Sequence, residues 1–156
     1  MAASTDILIG DPDGERIFIQ PIGRKHPGLF DYWDGNWIAC EVQLASGGFR
    51  GSFRADLRSE EFQAFLEEMD SLSHTLEGAA TFSTMEGQIE FSLTDDGRGR
   101  VRVQGEALDE PGIGNRLHFE FDVDRTHLVQ IVSAVEHLLA AFPVTGTPDP
   151  AADRAS

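Results

Sequence analysis

Lysine is nearly missing from this chain of 156 residues: Lys25 stands alone beside eleven arginines, and these twelve bases face 27 Asp and Glu, for a formal charge of −15. The acids are spread along the chain rather than gathered in a tail, so it lacks the basic footprint that a phosphate backbone or an anionic membrane requires. Neither nucleic acid nor membrane is expected as a direct partner. A basic protein would be drawn in by such a field, although an acidic surface also serves plain solubility. Cysteine is as scarce. With Cys40 alone, an intramolecular disulfide and thiolate metal clusters are out of reach. No run approaches the ~20 apolar residues of a membrane span, and the opening MAASTDILIG has neither a basic n-region nor a signal-length apolar core. These absences lead us to expect a cytoplasmic protein.

Tyrosine and tryptophan are rare too, and they are not scattered. The one Tyr and both Trp fall within residues 31–37, DYWDGNW. The hydrophobic share of 40% is enough for one sizeable core at this length, so we expect one domain over 1–143. The closing VTGTPDPAADRAS, residues 144–156, lacks any apolar pattern and is expected to be a disordered tail.

Period-two alternation marks strands. NWIACEVQL puts Ile38, Cys40, Val42 and Leu44 on one face, with Trp37, Glu41 and Gln43 on the other. FRGSFRADL puts Phe49, Phe53, Ala55 and Leu57 opposite Arg50, Ser52, Arg54 and Asp56, and Ser46-Gly47-Gly48 joins the two runs as a hairpin. QIEFSLT, RVRVQ and RLHFEFDV alternate likewise, and DDGRG turns the first of these into the second. Alternation of this kind belongs to antiparallel strands with one wet face.

Two segments switch to the helical period. Phe62, Phe65, Leu66, Met69 and Leu72 form one stripe, with Ser59 as expected N-cap and Glu60 and Glu61 in the first turn; Leu128, Ile131, Val132, Val135, Leu138, Leu139 and Phe142 form the other, with Asp124 as cap and Pro143 as stop. The predicted fold is α+β, a twisted antiparallel sheet of seven or eight strands with two helices packed on one face. Sliding the chain by 66 residues lays Phe53 to Leu72 over Phe119 to Leu138 with the apolar positions in step. Two readings fit: a repeat of two strand-and-helix units, or the intervals that any strand-to-helix corner needs.

A catalytic or metal constellation is hard to assemble. The five histidines, at 26, 74, 118, 127 and 137, form no HExxH pattern and have no Cys partner at zinc spacing. His118, Glu120 and Asp122 share one face of a predicted strand, as polar residues on any alternating strand do. PGIGN has GxG spacing but links two strands instead of opening a helix. Acidic pairs such as Asp95 with Asp96 lie in turns, where a carboxylate keeps its ordinary pKa. No catalytic residue, metal site or cofactor is expected.

What remains is DYWDGNW. Tyr32 and Trp33 precede an Asp-Gly pair that suits a turn with positive φ at Gly35. Aromatic anchors ringed by acids are what a hot spot for a basic protein would use, which selects Asp31, Tyr32, Trp33, Asp34, Trp37 and Glu41, with Glu120 and Asp122, as candidate partner-binding residues. Two other roles stay open: plugging the open end of the sheet, chiefly by Trp37, or lining a ligand or enzyme pocket between the sheet and the Tyr32–Trp33 segment. The chain could be a monomer, or a homodimer paired through the same aromatics.

Taken together, DYWDGNWIACEVQLASGGFRGSFRADL, SEEFQAFLEEM, GRVRVQG and LHFEFDVDRTHLVQIVSAVEHLLAAFP resemble the WapI family of immunity proteins. That family is marked by a W-x-G-N-W-L like motif leading into a strand, a hairpin and an acidic helix, and by a closing strand-helix unit. The resemblance implies a cytoplasmic antitoxin of bacterial competition. Such a protein binds, one to one and without catalysis, the toxic C-terminal domain of a cell-wall-associated protein, often a nuclease. A toxin that handles RNA or DNA is basic, which suits an acidic binder.

Overall fold

The computed structural model describes residues 4–148; 149–156, most of the expected tail, lie outside the described residues. Eight antiparallel strands form two four-stranded meanders. The first contains β1 (Ile7–Gly10), β2 (Arg16–Arg24), β3 (Trp37–Ser46) and β4 (Phe49–Arg58), with a one-turn helix α1 (Tyr32–Gly35) between β2 and β3. Helix α2 (Ser59–Thr75) follows directly. The second contains β5 (Ala79–Phe82), β6 (Ile89–Asp95), β7 (Arg100–Leu108) and β8 (Arg116–Asp124), and ends in α3 (His127–Ala141). The expected α+β class, strand count and two long helices are all present, the strands being divided between two sheets. The division has a local cause: each meander ends by turning into a helix, so β4 never pairs with β5.

The alternating residues do what their period dictates. Ile38, Cys40, Val42 and Leu44 are buried, while Trp37, Ala39, Glu41 and Gln43 on the other face are partly exposed. Both helical stripes bury in step: Phe62, Phe65, Met69 and Leu72 are buried with Leu66 partly so, and Leu128, Ile131, Val135 and Leu138 are buried with Val132 partly so. The 66-residue correspondence is thus carried through in strand order, helix placement and burial, which favours two related units over a chance of spacing. Helix α2 packs on β5 and α3, and α3 packs on β1, so each helix reaches the other unit's first strand. One continuous core results. At its centre Phe65 makes edge-on contacts with Phe82 and Phe91, each at 5.5 Å between ring centres.

The helix starts differ from expectation by a residue or two. Arg58, not Ser59, is the N-cap of α2; its backbone N–H donates to Glu61 Oε1 at 2.8 Å, and Ser59 is buried inside the first turn. At α3 the cap is Thr126, whose N–H donates to the Asp124 carboxylate at 2.9 Å, so Asp124 acts two residues ahead of the helix. Pro143 stops α3 as expected, and Phe142, expected as the last residue of the stripe, is its C-cap. The start of the segment expected to be tail is held: Thr145 hydrogen-bonds to Asn36 and Asp31.

Candidate functional site

The connection 25–36, between β2 and β3, carries four of the eight candidate residues, and Trp37 follows at the start of β3. Asp31 caps α1, accepting the Asp34 N–H on its carboxylate at 3.0 Å and the Gly35 N–H on its carbonyl at 3.0 Å. Gly35 is not in the positive-φ conformation expected of it. Its constraint is space: a Cβ would lie 2.7 Å from Thr145 Oγ1 and 2.8 Å from the Leu29 carbonyl oxygen. A turn this short leaves its last carbonyls without helical partners. They are taken up by Arg58, whose Nη2 donates to the Tyr32 carbonyl at 2.6 Å and Nη1 to the Trp33 carbonyl at 2.7 Å.

Arg58 is the organising residue here, and it is only 2% exposed. A buried guanidinium is tolerated only when its charge and its donors are matched. Glu60 supplies the charge at 2.5 Å, and the ring of Trp37 lies 4.7 Å below the guanidinium, with Tyr32 at 5.5 Å and Trp33 at 6.0 Å. Tyr32 and Trp33 meet edge to face at 5.0 Å. All three rare aromatics therefore enclose an internal cation. Where the alternative reading puts a pocket, behind Tyr32 and Trp33, the structure puts the Arg58 side chain.

Around this centre the other buried polar groups are satisfied. Asn36 donates from Nδ2 to the carbonyls of Tyr32 at 2.9 Å and Thr145 at 3.0 Å, and accepts the Thr145 N–H on Oδ1 at 2.8 Å. Arg24 donates to the Gly35 carbonyl at 3.1 Å and to Ser59 Oγ at 2.8 Å. Beneath Arg58, Glu61 accepts backbone N–H groups from Arg58 at 2.8 Å and Met85 at 2.5 Å, yet burial pushes its carboxyl up to about 7, the Glu60 charge adding to the effect. Burial likewise pushes the Cys40 thiol up to about 12, leaving it no nucleophile.

The structure separates the candidates into two groups. Asp31, Tyr32, Trp33, Asp34 and Trp37 come together around Arg58. Glu41 lies further along the same outer face and pairs with Arg54 at 3.2 Å. Glu120 and Asp122 lie on the outer face of the second sheet, where Arg102 bridges them at 2.9 and 3.4 Å. His118 faces Glu106 at 3.6 Å, and among the described residues no group of three or more His, Cys, Asp and Glu is arranged to hold a metal ion. A shallow hollow of about 530 Å³ on that face is lined by Thr81, Ser92, Gln104 and Glu106, among others.

Sequence reasoning missed Arg58, because alternation places it on the wet face with Arg54 and Asp56. Its register partner across the ladder is Trp37, and that pairing was the signal available. Two exposed neighbours were missed as well. Leu29 is 47% and Phe30 75% exposed, beside Trp33 at 50%.

A two-unit α+β domain with a buttressed, acid-flanked aromatic connection is the setting for the comparisons with known proteins. The chain belongs to the immunity protein WapI-like family, whose model matches residues 7–143. No curated protein matches it. Among solved structures, one described as crystal structures of trypanosoma bruciei MRP1/MRP2 is 6% identical, with 92% of this chain and 88% of that chain covered and a TM-score of 0.48. At that level the likeness carries no argument. Among the described residues no helix is long and apolar enough to cross a membrane.

Proposed function

We propose that this chain is a cytoplasmic immunity protein that neutralises the toxic C-terminal domain of a cell-wall-associated protein by binding it one to one, without catalysis. Family membership makes an immunity role the natural reading. The observation that carries the binding mode is the 25–36 connection, an exposed aromatic segment held on a fully hydrogen-bonded, buried support in a chain of charge −15. A surface ordered before binding loses little conformational entropy on complex formation. In this reading Asp31, Trp33 and Asp34 face the toxin. Tyr32 and Trp37 act from behind, through Arg58. Glu41, Glu120 and Asp122 add to the long-range field that attracts a basic domain such as a nuclease.

The test is a growth assay. The C-terminal domain of the surface protein encoded beside this chain is expressed in a host, alone or with this chain. Arrest by the domain alone, and recovery when both are soluble and co-purify one to one, support the reading. Arrest that persists with both proteins soluble would overturn it.

A further inference from the structure

We infer that the toxin seats on an apolar tip made by Leu29, Phe30 and Trp33, and that the surface it brings there is an apolar cleft flanked by lysine or arginine. This rests on the immunity reading and names the seat and its chemistry. Three large apolar side chains within five residues stand in water at 47%, 75% and 50% exposure, on a segment whose backbone is fixed from below by Arg58, Asn36 and Thr145. The fold does not require them. The second unit makes the equivalent connection, β6 to β7, with only residues 96–99.

Charge selects the occupant. Of the strong cations near the tip, Lys25 is paired with Asp56 at 2.5 Å and Arg58 with Glu60, while Arg24, held on the Gly35 and Pro143 carbonyls, leaves one unpaired positive charge against the two carboxylates of Asp31 and Asp34. Asp31 and Asp34, both exposed, therefore give the tip a negative border. A second copy would bring the same carboxylates and another −15 against it, whereas a basic domain meets complementary charge. Phe49, 67% exposed at the β3–β4 hairpin, is followed by the exposed Arg50, which stands against the carboxylate held at that hairpin, Glu15, accepting the Gly47 N–H at 2.9 Å.

The experiment titrates the purified toxin domain against the parent, Phe30→Ser, Trp33→Ser and two controls, Phe49→Ser and Ile113→Ser, and records the unfolding temperature of each. Both tip variants should bind at least about 30-fold more weakly, the size of a hot-spot loss, and the controls should stay within about threefold. Unfolding temperatures of the tip variants should lie within about 2 °C of the parent, since exposed side chains contribute little to stability. Asp31→Asn combined with Asp34→Asn should slow association about three- to tenfold at low salt, and less as salt rises. If the parent binds and both tip variants bind equally well, the seat is elsewhere and the inference fails while the immunity reading stands. If the parent does not bind, both fail together. A parent homodimer that the tip variants dissociate would assign the tip to a second copy and also overturn the inference.

Discussion

The two units solve the same corner in different ways. At the end of β8, Arg125 grips Asp95 through two hydrogen bonds of 2.8 Å, and this pairing holds the Asp95 carboxyl below its ordinary range. The pair stitches the start of α3 to the β6–β7 turn. At the end of β4, the corner is secured by Arg58, stacked on three aromatic rings and held against the extra segment 25–36. Under the 66-residue correspondence Arg58 falls on Asp124 and Ser59 on Arg125, so the apolar positions match on both sides of the corner while the polar residues within it differ. A short turn and one ion pair are sufficient to turn a strand into a helix. The first corner uses its aromatics to enclose Arg58, and its exposed Leu29 and Phe30 exceed what the second corner needs, which is the difference on which the proposed seat rests.

If the units share one core, they should fail alike when it is charged. Phe65→Asp in α2 and Val135→Asp in α3 each bury an unpaired carboxylate and should abolish cooperative folding, read as loss of the thermal transition by circular dichroism. A normal melt for either variant would uncouple that helix from the core. The corners should then part company. Arg58→Met strands Glu60 and the Trp33 carbonyl and leaves the Tyr32 carbonyl to Asn36 alone, and should cost about 3–5 kcal/mol in denaturant titration. Arg125→Ala removes a side chain that is 33% exposed and leaves the enclosed Asp95 carboxylate the Gly97 N–H at 2.7 Å, so it should cost less. Equal losses would remove the distinction drawn here.

A smaller effect concerns pH. Glu61 has a folded-state pKa of about 7 against an ordinary 4.5, so between those values the folded chain binds more protons than the unfolded one. Its contribution is complete below about 4.5 and is lost as pH rises through about 7, a change on the order of 3 kcal/mol. Asp95, Asp109 and Asp124 are shifted the other way, by the Arg125 hydrogen bond at Asp95 and by backbone N–H groups at the other two; they lose stability as pH falls into the acid range, outside that window. Glu61→Gln should flatten the curve between pH 4.5 and 7, and an unchanged slope would show that Glu61 does not titrate there. Least of all, Trp33→Ser should change stability by under about 1 kcal/mol, whereas Trp37→Ser, which removes the ring nearest Arg58, should change it more.

The strands that alternate over seven residues or more, and both long helices, were legible because burial on one face repeats at the period of the backbone. β1, β2 and β5 were not located. β1 and β5 are four residues each, and β2 is interrupted by a register shift between Pro21 and Gly23, so their alternation is too brief to stand out. The site was half legible. Crowded aromatics beside carboxylates pointed to 31–37, but exposure was assigned to Tyr32 and Trp33 equally, and only Trp33 stands largely in water. Phe30 and Leu29 belong to no period and follow the Pro27-Gly28 turn, so no pattern singled them out.

Composition and periodicity by themselves determined the acidic field, the α+β class and the two buried stripes, because each depends on residues close in sequence or on a sum over the chain; the GNW motif and the segments around it carried the resemblance to an immunity family. Only the tertiary structure decided that Arg58 is enclosed by residues more than twenty positions earlier, and that Thr145 closes on Asn36 across 109 positions. It also decided which aromatics turn inward. A buried cation gathers whatever carbonyls, carboxylates and rings the fold brings within a few ångströms, and that proximity is set by how the chain returns on itself.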